Sequence, residues 1–424
     1  MKCKYACQTA DHQMARRSFL GLTAAGLGLS AFAQPAAAKQ LSGADQRVLV
    51  IFLRGGLSQL ESWDPKPYTE NGGPFRPIST SVPGIQISEL LPHTAQNMHR
   101  LSIVRSLNSK EADHGRGLYS MTTGRKKEAA SEYPHLGAVT SRLLTSANSP
   151  MPGFIRVSAK GAGINTRDAA YLGAKYASMT LADGQTPPNS TRAATLTPDR
   201  DTARQQLRQR MSDRFATRRR TAETEAYTYS YDQAAQLMER ADLFDVTREP
   251  LREQERYGKH DFGRHLLLAR RLLENGVTFA EVSHSNYDTH YENFEYHIEQ
   301  LGEFDRSFAT LLQDLDERGM LDSTLVVVMS EMGRTPRINA NYGRDHWGKA
   351  WSVALTGAKI QRGTVVGKTS DDGTAVVDRE VSTGDLFHTY LSAVGIDSRD
   401  TIDVNGRPMP AADPAYGAIK ELLG

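Results

Sequence analysis

The sequence predicts an α/β fold with a parallel strand pair, in one large domain or two smaller ones. Three observations predict it. Continuous apolar runs of the buried-strand type recur, RVLVIFL at Arg47–Leu53 and TLVVVM at Thr324–Met329. A strand-like run at 277–282 is followed by a long amphipathic stretch and then by the Thr324 run, which is a β-α-β order implying a parallel pair and a right-handed crossover. Carboxylates and imidazoles gather just beyond the ends of these runs, where an open α/β sheet places its site.

Composition narrows the function classes. The 424 residues hold 51 Lys+Arg against 49 Asp+Glu, so global charge gives no case for a nucleic-acid or membrane partner. A hydrophobic share of 39% is low for a globular chain and points to long polar loops or a charged helical insertion.

The first residues read as an export signal. Arg16 and Arg17 precede the weakly apolar run GLTAAGLGLSAFA, and Ala36–38 supply small residues for cleavage. Paired arginines before such a run are the twin-arginine signal, so the expected partner is that export machinery and the expected location is the periplasm. The run is too short and too rich in Gly and Ala for a spanning helix, and no transmembrane helix is expected after cleavage. Cys3 and Cys7 precede the cleavage point, which excludes disulfides and thiol chemistry from residues 39–424.

Along 39–424 the elements follow in order. Arg47–Leu53 is a strand, and Arg54-Gly55-Gly56 is a tight turn that lets another group approach the backbone. Residues 85–91 and 101–105 are short elements, the second a strand. Asp113 can cap a helix that begins near His114, and residues 154–157 form another strand. The span 199–275 is charged and helical; its Arg218-Arg219-Arg220 run reads as a solvated helix face. Residues 265–273 form a helix leading through Asn275-Gly276 into the 277–282 strand. Phe294, Ile298, Leu301, Phe304, Phe308, Leu311 and Leu315 recur at helical steps as one apolar face, and Gly319 ends that helix. Residues 385–394 form a last amphipathic helix.

The chemistry concentrates in three places. Asp288 and His290 follow the 277–282 strand, Glu331 follows the Thr324 strand, and Asp345 and His346 follow a Gly-containing loop. These are the ligand types that hold a divalent ion, and oxygen with nitrogen donors suits Zn, Mn, Mg or Ca.

Several motifs resemble a known family. RVLVIFLRGGLSQLESWDPKP, EYPHLGAV, YDTH, SEMGRTP, GRDHW and IQRGTVVGKTSDDG resemble, in order along nearly the whole of 39–424, the bacterial domain of unknown function 1501. That family is similar to the alkaline phosphatase and sulfatase superfamily. The resemblance implies a single α/β domain, alkaline phosphatase-like, with a large mostly parallel sheet sandwiched by helices, metal ions at its strand ends and a metal set of Asp288, His290, Glu331, Asp345 and His346. Asp345 is read there either as a ligand or as a carboxylate orienting His346. GDLFHTYLSAVGI resembles the sulfatase ending, with Asp385 and Thr389 at the last helix.

The departures from that pattern are specific. Arg54 stands where the superfamily has a metal-binding Asp, and a guanidinium favours an anion there. Gln59 and Glu61 stand where many relatives have His and Asp, and Glu61 can still ligate. Counting back from Thr123-Gly124 to the nucleophile position reaches His114, which is open to three roles: ligand, general base or nucleophile. Arg54, Arg334 or Arg344 would grip the oxygens of an anion. Two functions follow: an exported metal-dependent hydrolase of phosphate or sulfate esters, taking an anionic small molecule or polysaccharide, or a non-catalytic envelope binding or assembly protein on the same fold.

Overall fold

The apolar run Arg47–Leu53 forms β1 at the centre of a nine-stranded sheet, buried on both faces. The computed structural model describes residues 46–146, 149, 151–159, 163–185, 195–216, 228–229, 231, 233 and 236–424. The expected export segment and the Arg218–220 run lie outside these residues.

The other strands of this sheet are β2 Ser102–Leu107, β3 Phe154–Ser158, β4 Gly163–Asn165, β5 Ser178–Ala182, β6 Phe279–His284, β7 Thr324–Met329, β8 Trp351–Thr356 and β9 Thr364–Val366. Their order is β9-β2-β8-β7-β1-β6-β3-β5-β4. Only β8 and β4 run against the rest. The expected β-α-β pair is parallel, but β6 and β7 are not neighbours: β1 lies between them and pairs with both.

The described α-helices are α1 Pro92–Gln96, α2 His114–Thr123, α3 Leu136–Leu144, α4 Pro198–Ala216, α5 Leu251–Tyr257, α6 Asp261–Glu274, α7 Asn293–Glu317 and α8 Thr383–Ala393. Side chains alternate across β1, and so do the cores. Leu49, Ile51 and Leu53 pack with Leu266, Leu272, Phe304, Phe308 and Leu311 of α6 and α7. Val48, Val50 and Phe52 pack with Met121, Val139, Leu386 and Tyr390 of α2, α3 and α8. Each fully buried Leu or Phe contributes about 1.5–3 kcal/mol, which is why a chain of modest hydrophobic content keeps its apolar residues in these strands and helix stripes.

Three details differ from the sequence reading. The strand expected at 277–282 begins at Phe279, because Val277 still closes the turn after α6 by bonding Leu272 O. Ile298 is exposed, while Asn293, His297 and Gln300 of α7 are buried. Here polar groups line a loop-filled end of the domain, so apolar periodicity misassigns the inward face. The span 199–275 is not uniform either. α4 is exposed along most of its length, whereas α6 is a core helix whose Arg270 is buried among Glu249, Glu274 and Asp314. Among the described residues no helix is long and apolar enough to cross a membrane.

Candidate metal centre

The carboxyl ends of β6, β1 and β7 lie level, with Leu53 opposite His284 and Phe52 opposite Met329. The loops that follow therefore emerge side by side. Gly55 has φ +116, and a Cβ there would stand 2.3 Å from Asp288 N, so this glycine lets the Asp288 loop close over β1. From the neighbouring layer, α2 delivers His114 at its first position. Asp113 caps that helix by accepting from Arg116 N at 2.9 Å, as its sequence suggests.

Four side chains meet here. His114 Nε2 is 3.2 Å from Asp288 Oδ2, and His346 Nε2 is 3.1 Å from Asp288 Oδ1. Donor atoms of these three residues all lie within 4.8 Å of one another. His290 Nε2 joins at 3.1 Å from His346 Nε2 and 3.2 Å from Asp288 Oδ1. Donors at about 2.05 Å around a tetrahedral ion stand about 3.3 Å apart, so these spacings suit a small divalent cation.

The protonation pattern makes the same point. His114 Nδ1 faces Glu331 Oε1 at 2.8 Å, His290 Nδ1 faces Asp345 Oδ1 at 2.7 Å, and His346 Nδ1 faces Ala112 O at 3.0 Å. Carboxylates and carbonyls only accept, so all three Nδ1 atoms carry the proton. The Nε2 atoms are thereby turned toward one another and toward Asp288. Between His290 and His346, 3.1 Å apart, a shared proton or a metal ion would reconcile the two nitrogens. Imidazoles oriented from behind by acceptors are what metal sites use.

Electrostatics hold the carboxylates ionised. Burial works to raise the Asp288 pKa, but the Arg334 guanidinium, then His346 and His114, overcome it and hold the carboxyl at about 2. Burial likewise opposes the ionised form of Glu331, and the bonds from His114 and the Gly55 N–H still keep its carboxyl below the usual range. The His114 pKa is raised, chiefly by its bond to Glu331. The bond from His290 holds Asp345 low.

The structure redistributes the expected roles. His114, left open between three roles, stands with the converging donors. Glu331 does not: it lies behind His114, tied also to Gly55 N at 2.9 Å. Asp345 lies behind His290 rather than His346. The three arginines expected to grip an anion bond other partners, and Arg334 reaches the group through Asp288. Arg54 turns along the sheet face, bonding Ser283 Oγ at 3.1 Å and lying 3.7 Å from Glu281. Arg334 is fully buried, and its donors go to Gly56 O, Arg344 O, Gly55 O and Asp288. It positions Asp288 and holds the glycine turn. Arg344 is buried in a two-pronged pair with Glu61, at 2.8 and 3.1 Å, which also removes Glu61 as a ligand. Gln59 bonds the backbone of Arg334 in both directions.

One cluster escaped the sequence reading. Glu281 of β6 sits opposite Arg156 of β3 and takes ion pairs from Arg156 at 3.2 Å and His135 at 3.3 Å, almost wholly buried. A lone fully charged residue flanked by apolar ones in each of two strands, FIRVS and FAEVSH, was the available signal.

A strand-end site on a helix-flanked, mostly parallel sheet defines the class, an α/β protein with its candidate centre at the carboxyl ends of the strands. The chain belongs to the family described as "Protein of unknown function (DUF1501)", whose model matches residues 45–423. No curated protein matches the sequence. Solved structures similar to it include a protein in the alkaline phosphatase superfamily from Vibrio parahaemolyticus, at 11% identity and TM-score 0.37, covering 84% of this chain and 68% of that one. The PsFucS1 sulfatase from Pseudoalteromonas sp. matches at 13% and 0.39, covering 86% and 72%. The alkaline phosphatase from the Antarctic bacterium TAB5 matches at 13% and 0.37, covering 82% and 98%.

Proposed function

We propose that this protein is an exported, metal-dependent hydrolase of phosphate or sulfate esters that works in the periplasm. The observation that carries the reading is the convergence of three Nδ1-protonated imidazoles on the Asp288 carboxylate. His114, Asp288 and His346 would hold the ion, leaving one position for an ester or water, as catalytic sites do. When bound, a divalent ion supplies Lewis acidity toward an ester oxygen. The chain's own residues do the rest. Glu331 and Ala112 O fix the ligand tautomers, and Arg334 fixes Asp288. His290, half-exposed and with Nδ1 held 2.7 Å from Asp345 Oδ1, is the group placed to accept and return a proton at Nε2.

A second reading has a specific observation behind it. His290 Nε2 is as close to Asp288 and His346 as a fourth ligand would be, and four protein ligands close a site into a structural one. With Arg54, Arg334 and Arg344 all committed elsewhere, such a site fits the non-catalytic binding or assembly protein. One variant separates the two. His290→Ala that keeps its metal, measured by mass spectrometry, while losing turnover of p-nitrophenyl phosphate or sulfate supports the hydrolase. Loss of metal from His290→Ala, with no turnover of either ester by metal-loaded wild type, supports the structural site.

A further inference from the structure

Two tyrosines stand beside the metal centre in a way that folding alone does not favour. Tyr291 follows His290 directly, and Tyr342 precedes the Arg344-Asp345-His346 run. They are 55% and 72% exposed. Their backbones pair as an antiparallel bridge, flanked by Glu292 N to Asn341 O at 3.1 Å and Asn293 N to Tyr342 O at 3.0 Å. Residues directly opposite in such a bridge project to the same side.

The arrangement is also strained. Tyr342 has φ 54, a left-handed conformation rare for a bulky residue, and Glu292 has φ 49. Next to it, a Cβ on Gly343 would stand 2.0 Å from His290 O, so the two loops are pressed together at His290. Asn339 secures them, donating to His290 O at 2.9 Å and accepting from Gly343 N at 2.9 Å. Tyr296 braces Tyr291 edge-on, with ring centroids 5.9 Å apart. Exposure and strain together at the rim of a site mark a binding surface.

We infer that Tyr291 and Tyr342 form a stacking platform for a sugar ring, which makes the substrate class a carbohydrate ester. The surroundings select this occupant. A pyranose offers an apolar C–H face to a tyrosine and hydroxyls to its rim, where Glu292, Glu295 and Asn341 are exposed. Those carboxylates disfavour a second anionic group, and an acyl chain would leave them without partners. The ester group would then lie toward Asp288 and the imidazoles, and the ring that carries it over the tyrosines. The inference rests on the hydrolase reading, but its test does not need turnover.

Wild type, Tyr291→Ala, Tyr342→Ala and Tyr342→Phe are each applied to an array of sulfated, phosphorylated and unsubstituted oligosaccharides, with metal content measured on the same samples. Wild type should bind saccharides. Each alanine variant should weaken binding by about tenfold, in the range for a central tyrosine anchor, while the phenylalanine variant retains it. Metal content should be equal in all four. Wild type that binds no saccharide, or alanine variants that bind as wild type does, would overturn the platform. Saccharide binding that survives a failure of p-nitrophenyl ester turnover would leave the platform standing and remove only the hydrolase.

Discussion

Glu331→Gln isolates what an orienting carboxylate contributes to the centre. Glu331 Oε1 accepts from His114 Nδ1 at 2.8 Å and from Gly55 N at 2.9 Å, and Oε2 lies 3.1 Å from Ser330 Oγ. Glutamine has the same volume and can keep its oxygen at the first position. Its new N–H group would meet Ser330 Oγ, which donates its hydrogen to Leu53 O at 2.7 Å, accepts from Leu57 N at 3.1 Å and keeps a second lone pair for it. The hydrogen bonds survive while the negative charge behind His114 disappears. That charge makes His114 a stronger donor toward a cation, and losing such a partner typically costs 10–100-fold in metal affinity, about 1.4–2.7 kcal/mol. Competition titration with a fluorescent chelator at fixed neutral pH reads the affinity, and thermal unfolding of the metal-free proteins reads the fold. A loss of affinity with unchanged metal-free stability is expected. Equal affinity in Glu331→Gln and wild type would refute the orienting role. An equal affinity loss with a collapsed melting temperature would assign Glu331 to structure instead.

Two further expectations stand apart from the centre. Burial opposes the ionised form of Glu281, but Arg156, His135 and Arg54 hold its carboxyl far below the usual range. A depressed acid contributes stability that is full above its unfolded pKa of about 4.3 and is lost as pH falls toward the folded value. Glu281→Gln should therefore cost about 3 kcal/mol at neutral pH by leaving Arg156 half-paired, and show a shallower loss on acidification than wild type; urea denaturation at neutral and acid pH checks both. Replacing Arg16 and Arg17 together with lysine should leave precursor in the cytoplasm on fractionation, and normal export of that variant would dismiss the twin-arginine signal.

The sequence by itself determined the framework. RVLVIFL and TLVVVM are apolar on both sides of the pleat, so they had to be central strands covered on both faces, and the three- and four-residue apolar steps of 293–317 had to lie on them. It also placed Asp288, His290 and Glu331 beyond strand ends, and Asp345 with His346 after a glycine-containing loop, because strand period and glycine turns are local signals. Which of these residues face one another was decided only by the tertiary structure. His114 arrives from a helix on another layer, some 170 residues before Asp288 in sequence, and it displaces Glu331 from the converging set. Arg54, Arg334 and Arg344 looked alike as arginines near a site. Their partners are Glu281, backbone carbonyls and Glu61, contacts made across more than 200 residues in all three cases. The physical reason is that a buried charge must find a counter-charge or a ring of acceptors, and the fold, not the neighbouring sequence, supplies it.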